Sequence, residues 1–403
     1  MLHDPAPTEQ GSLTTPQQKG QAQPLPNQPQ AVLTFGQTAP LSYETPSYKA
    51  PKAPSVDAFG RFEPLTVEPS FTLPPAKVAL LVPLSGRNAE LGQAMVNAAQ
   101  LAVFDIAPEG FELLPRDTGV NAVQAVQAAK DALAAGANFV IGPLFAADVA
   151  AVKPVIETAS VNMVSLSTDV SLAAPRAYVM GFAPAPQVER IVSYAVARGY
   201  RQFAALVPSN PYGELVADTF KEALAKHGVN LIAVEQVSNL AYLTAQKDSI
   251  DCLLLPFGGS QLKDVADQLQ KVGFQHGKVQ LLGTGLWDSE NLGETIPFLR
   301  GGWYATAEPE MRERFTETYT SSYGHPPPRL ATLAYDATAL AAVLTKAGRG
   351  FSSEALTTRI GFAGLDGLFR LNPDGKVERA LAISEITEDG RRTIHPADKS
   401  FAP

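Results

Sequence analysis

From Ala76 onward, short apolar runs alternate with helical segments, and this alternation constrains the fold more than any other feature. "KVALLVP" precedes a helix expected from Ala89, "FELLPRD" one from Val120 and "NFVIGP" one from Ala147; "NMVSLS" closes this first set. After "YVMGFAP" a second set follows: a helix over 187–198, strand "FAALVP", a helix over 214–226, strands "NLIAVE" and "CLLLPF", a helix over 260–272 and strand "VQLLG". Strands covered on both faces read as unbroken apolar runs, and helices between them make the sheet parallel. The first helix carries Leu91, Met95, Ala98 and Ala102 on one stripe, as a helix packed on a sheet requires. Two such sets in series predict an α/β chain of two doubly wound, Rossmann-like lobes with a cleft between them. Ligands of open parallel sheets sit beyond the C-terminal strand ends.

The first 75 residues are different: they hold 14 of the 33 prolines and many glutamines, as in "TTPQQKGQAQPLPNQPQ". Such a segment buries too little apolar surface to offset its chain entropy, so 1–75 is expected to be a disordered tether. The net charge of -8 and the absence of any run of five basic residues argue against a nucleic-acid partner. The single cysteine, Cys252, lies in the apolar "SIDCLLLP" and reads as a small buried hydrophobe. No stretch reaches 18 apolar residues, and "MLHDPAPTEQ" lacks the basic and apolar regions of a signal peptide. Taken literally, that places the chain in the cytoplasm.

The loops after the strands supply the candidate cleft residues: Ser85 in "SGRN", Phe145 and Ala146, Ser167 and Thr168 in "SLST", Tyr212 in "PYG", and Gly285 and Trp287 in "GTGLW". Hydroxyls, aromatic rings and free helix N-terminal N–H groups suit a carboxylate or another anion. Each is also an ordinary cap or packing residue, and only their shared location suggests a cleft. Catalytic signatures are missing. The five histidines, His3, His227, His276, His325 and His395, have no metal-ligand spacing, and there is no HExxH, no GxSxG elbow and no Walker A lysine. "GTGLW" lacks the third glycine of a dinucleotide fingerprint. The chain is expected to be no enzyme and to use no metal or cofactor.

The phrases "VALLVPLSG…LGQAMVNAAQLAVFD", "VIGPLFAADVAAVKPV", "VPSNPYGELVADTFKEAL" and "LLGTGLWD" resemble the type I periplasmic binding proteins of the leucine/isoleucine/valine class, from Ala76 to about Ala347. "LRGGWYA", "PPPRLATLAYDATALAAVL" and "GFAGLDGLFRLNPDGKVERALAISEI" are similar to the penicillin-binding protein activator branch of that fold. The resemblance implies a periplasmic, lipoprotein-tethered activator of a cell-wall synthase. The alternative is a solute receptor that hands an amino acid or related small molecule to an ABC permease. It also implies amino-acid contacts that this chain meets only in part. Ala146 stands where a serine would bind the carboxylate, Ser167 or Thr168 and Tyr212 are in place, and Gly285 stands where an acid would hold the ammonium. Asp288 is a possible substitute, more simply read as a helix N-cap. The expected division is 76–184 with about 306–350 as lobe 1, and 185–305 with about 351–395 as lobe 2 and hinge crossover. "NPDG" is read as the turn of a hairpin between 368–371 and 378–386.

Overall fold

The computed structural model describes residues 75–288 and 291–401. The expected tether lies, apart from Pro75, outside the described residues. Lobe 1 opens with β1 (Ala76–Val82), α1 (Ala89–Ile106), β2 (Phe111–Asp117), α2 (Ala122–Ala134), β3 (Phe139–Ile141), α3 (Ala146–Ala159), β4 (Asn162–Ser165) and β5 (Ala177–Val179). The five strands form one parallel sheet in the order β2-β1-β3-β4-β5. Alternate residues of β1 serve opposite faces. Val78, Leu80 and Val82 pack with Met95 of α1, whereas Ala79 and Leu81 pack with Ala125 and Ala129 of α2. The expected stripe of α1 is inward, with Met95, Ala98 and Ala102 fully buried.

Lobe 2 continues with α4 (Pro184–Ala197), β6 (Gln202–Val207), α5 (Pro211–His227), β7 (Asn230–Gln236), α6 (Leu240–Ala245), β8 (Cys252–Leu254), α7 (Gly259–Lys271), β9 (Gln280–Gly283), α8 (Leu292–Thr295) and β10 (Trp303–Thr306). The Asn121 and Asn210 side chains cap the starts of α2 and α5, accepting from the N–H groups of Gln124 and Gly213. Gly228 ends α5 with φ +63°, a left-handed stop that glycine adopts without strain. Among the α-helices, only the six-residue α6 joins β7 to β8, so one flank of this lobe is thinner.

The chain then runs through α9 (Glu310–Tyr323), α10 (Ala331–Lys346), α11 (Ser353–Leu356), β11 (Phe362–Gly364), β12 (Gly367–Leu371), β13 (Val377–Arg379), β14 (Ala382–Thr387) and β15 (Gly390–His395). Helix α10 packs along α1, and Phe315 and Tyr319 of α9 join Ala98 and Leu101 of α1 in one apolar cluster. Strands β14 and β15 extend the second sheet, whose order is β15-β14-β10-β9-β8-β6-β7. β14 pairs antiparallel with both β10 and β15, whereas every other pair in this sheet is parallel.

Two expectations need correction here. Residues 351–379, assigned from sequence to lobe 2, pack on lobe 1: Phe351 stacks on Phe139 at 4.7 Å between ring centroids, and Leu356, Phe369 and Leu371 share the core of Val78 and Leu80. Apolar alternation says that a segment is buried but not against which sheet. The hairpin turn forms at Asn372–Gly375, closed by Gly375 N–H donating to the Asn372 carbonyl at 2.9 Å. Its second arm, however, is split. β13 pairs with β12 in a separate three-stranded sheet, and β14 leaves for lobe 2. The chain thus passes between the lobes three times: after β5, after β10 and after β13.

Cys252 has no exposed surface, and burial pushes its thiol pKa up. The native chain is expected to leave a disulfide reagent such as DTNB unreacted and to release one equivalent of reactive thiol on unfolding in guanidinium. Rapid native labelling would contradict the buried strand.

Candidate ligand-binding cleft

The turn after β1 has a structural task. The Ser85 hydroxyl and the N–H groups of Leu84 and Gly119, at 2.7 and 2.8 Å, converge on Asp117. Partial burial pushes the Asp117 pKa up, but these hydrogen bonds outweigh it and hold the carboxyl below its ordinary range. Phe145 and Ala146 start α3 without a side-chain cap. The first turn of α3 already carries the buried Asp148, whose pKa burial raises. An acidic side chain in the first turn of a helix is favoured by the helix dipole. Ser167 is buried and its Oγ accepts from Asp169 N–H at 3.1 Å.

A cavity of about 400 Å³ lies between the lobes, on the hinge side of these loops. Thr168, Tyr212 and Gly285 from the expected set line it; Ser85, Phe145, Ala146, Ser167 and Trp287 do not. Tyr212 Oη is 3.0 Å from Thr284 Oγ1, and burial raises the phenol pKa. Gly285 N–H donates to Gln187 Oε1 at 2.6 Å, tying the loop after β9 to α4. A larger hollow of about 540 Å³ opens at the opposite end of the first sheet, beside Asn162, Arg176 and Phe351, away from the strand-to-helix loops.

Trp287 is the main correction. Its ring is fully buried in the lobe 2 core, its Nε1–H donates to the Leu255 carbonyl at 3.0 Å, and it leans on Tyr304. The slot exists because positions 283 and 302 are glycine: a Cβ on Gly283 would stand 2.2 Å from the indole. Asp288 is likewise no N-cap; the residue preceding α8 is Asn291. Its buried carboxylate accepts from Thr306 Oγ1 at 3.0 Å, from both Nη atoms of Arg312 and from Arg391 Nη1. It is therefore fully engaged and offers nothing to a ligand ammonium.

The charged groups of the cavity were not recognised from sequence. Arg329, in the turn before α10, forks onto Asp366 with Nη2 at 2.7 Å and Nη1 at 3.2 Å, while its Nη1 also donates to Thr332 Oγ1 at 2.8 Å. Its guanidinium lies 4.0 Å over the Phe182 ring, a favourable cation–π distance. Arg379, from β13, sits between the Phe182 and Phe369 rings and donates from Nη2 to the Met180 carbonyl at 3.0 Å. Burial pushes the Asp366 pKa up, but the two arginines more than reverse this and keep it ionised. Its neighbour Asp336 is raised to about 7 by burial and then by Asp366. The available signal was a lone charge inside an apolar phrase, "PPPRLA" and "AGLDGLF". Among the described residues no group of His, Cys, Asp and Glu is placed to hold a metal ion.

The periplasmic binding protein family profile matches residues 75–391. The chain belongs to the periplasmic binding protein family. As a member, it shares its fold with a branched-chain amino acid ABC transporter periplasmic ligand-binding protein of Burkholderia xenovorans, at a TM-score of 0.66 and 16% identity over 81% of this chain and 97% of that one. A solute-binding protein of a Rhodopseudomonas palustris ABC transporter, solved with 3,4-dihydroxybenzoic acid, aligns at a TM-score of 0.60 and 19% identity over 81% and 98%. This periplasmic binding protein is also 25% identical, over 185 residues, to the penicillin-binding protein activator LpoA of Vibrio cholerae; the match spans 44% of this chain and 30% of that relative.

Proposed function

We propose that the chain is a non-catalytic periplasmic receptor for a small organic solute, acting with an ABC permease. The observation that carries this reading is the cavity of about 400 Å³ walled by residues of both lobes. Ligand sites are concave, mostly apolar and supplied with a few placed polar groups, and this one fits that description. Free amino acids are poor candidates. Ala146 has no hydroxyl for the carboxylate, Gly285 has no charge for the ammonium, and Asp288 is consumed by Arg312 and Arg391. An unpaired ammonium in a closed cleft is costly.

The test is the melting temperature of the full chain against amino acids, amides, short peptides, organic acids and cell-wall fragments. A ligand at a hundred times its Kd adds about 2.7 kcal/mol, expected here as a rise of roughly 5 °C that saturates. A flat response across the panel would sink the receptor reading.

A second reading, activation of a cell-wall synthase by a lipid-tethered form of the chain, is favoured by the stretch of similarity to LpoA. It predicts that the chain stimulates glycan polymerisation by a purified penicillin-binding protein. A rate unchanged at saturating chain would dismiss it.

A further inference from the structure

We propose that the cavity takes a small organic acid with an apolar or aromatic body and no ammonium, its carboxylate anchored on Arg329 at the hinge side rather than on the loops of lobe 1. This rests on the receptor reading and adds the chemical class and the anchor.

Charge gives the first reason. The cavity wall itself carries two guanidiniums, Arg329 and Arg379, against one carboxylate, Asp366, which favours a monoanion at the wall; behind it Asp336 acts on Arg379, and Asp288, 3.9 Å from Arg329 Nε, is already bound by Arg312 and Arg391. Geometry singles out Arg329. Of its five N–H bonds, two on Nη1 and one on Nη2 are used by Thr332 and Asp366. Its Nε lies 3.9 Å from Asp288, beyond hydrogen-bond reach. Nε–H and the second Nη2–H are therefore without a close acceptor among the described residues, and they form the adjacent pair that grips a carboxylate side-on. About a third of the Arg329 side chain is exposed (34%), against 10% for Arg312 and 11% for Arg391. Nε and Nη1 of Arg379 are buried with no hydrogen-bond partner, so a second cation behind Phe182 has unspent donors.

Most of the remaining wall is apolar, with Phe182, Leu286, Leu330 and Leu381, and its other polar side chains, Thr168, Gln187, Tyr212 and Thr306, are uncharged. An ammonium entering there meets one carboxylate oxygen without a hydrogen bond, Asp366 Oδ1, but that oxygen is ion-paired with Arg329 Nη2 at 2.7 Å, and Gln187 Oε1 is taken by Gly285. The start of α3 also carries an acid, Asp148, whose negative charge disfavours a ligand anion there.

The experiment measures binding to the full chain at pH 7.5 by calorimetry, with benzoate, phenylacetate, benzamide and phenylalanine as probes. Benzoate or phenylacetate is expected to bind, with benzamide and phenylalanine weaker by about tenfold to a hundredfold, the scale of a charged hydrogen-bond pair. Arg329→Met is expected to abolish this preference. Because that variant also strips a partner from buried Asp366, Leu286→Asp serves as a second one. It places a negative charge on the half-exposed rim, removes no buried ion, and is expected to weaken the acids more than the amide, which loses only the apolar contact. Equal binding of acid and amide, tighter binding of phenylalanine, or acid binding indifferent to both variants would overturn the carboxylate anchor while leaving a receptor. Absence of binding by every probe, with a flat response to the wider panel, would remove the receptor reading and this inference together.

Discussion

Asp288→Ala is expected to destabilise the folded chain by about 3–5 kcal/mol, the cost of removing one partner from a buried ion cluster. The carboxylate is 1% exposed and receives Arg312, Arg391 and Thr306. Without it, two guanidiniums about nine-tenths buried face each other, and the half-exposed Glu313, 3.3 Å from Arg391 Nη2, is left as the counter-ion among the described residues. Urea unfolding followed by far-UV circular dichroism measures the loss as a lowered midpoint. Asp288→Asn keeps the shape and part of the hydrogen bonding, so an intermediate loss is expected. In the double variant Asp288→Ala, Arg391→Met the cost of the second change is expected to shrink, because one orphaned charge has gone. A loss below about 1 kcal/mol for the alanine variant would mean that water reaches the cluster.

Trp287→Ala is expected to cost a similar amount, about 3–5 kcal/mol, the range for emptying a large buried aromatic site. The indole fills a slot that the glycines at 283 and 302 leave open, and its N–H satisfies the Leu255 carbonyl. Trp287→Phe is expected to lose less volume yet still leave that carbonyl without its donor. The decisive contrast is with a ligand-lining role. In that case the alanine variant would keep its unfolding midpoint and lose ligand response. With the ring in the core, stability falls and any ligand that still binds the folded fraction does so through unchanged walls.

These two residues also mark where the sequence was readable. The strand-helix alternation was plain, because strands buried on both faces need unbroken apolar runs and α1 needs a single stripe ending in Ala98 and Ala102. The strand-end loops were identifiable as well, and three of their residues, Thr168, Tyr212 and Gly285, do line the cavity. Trp287 follows the same strand end, but whether a side chain turns outward or under its own loop depends on a partner slot made 15 residues away by Gly302. Nothing in local periodicity records that. Arg329, Asp366 and Arg379 were missed for a related reason: the first two each stand alone in an apolar phrase and the third sits among other charges in "DGKVERA", and they meet only because the last crossover returns β13 beside the end of β5. The lobe assignment of 351–379 failed on the same ground.

The three passages between lobes have a consequence for the order in which the molecule can be finished during synthesis. Lobe 1 takes its first strand from Ala76 and core side chains from as late as Leu371; the second sheet starts at β6 and receives its last strands, β14 and β15, from Ala382 to His395. Arg391, a partner of buried Asp288, is translated about a hundred residues after it. An emerging chain therefore cannot complete the N-terminal lobe and then the C-terminal one, as tandem domains do. Both halves wait, with apolar sheet faces open and one buried acid short of its second arginine, until almost the whole polypeptide has left the ribosome.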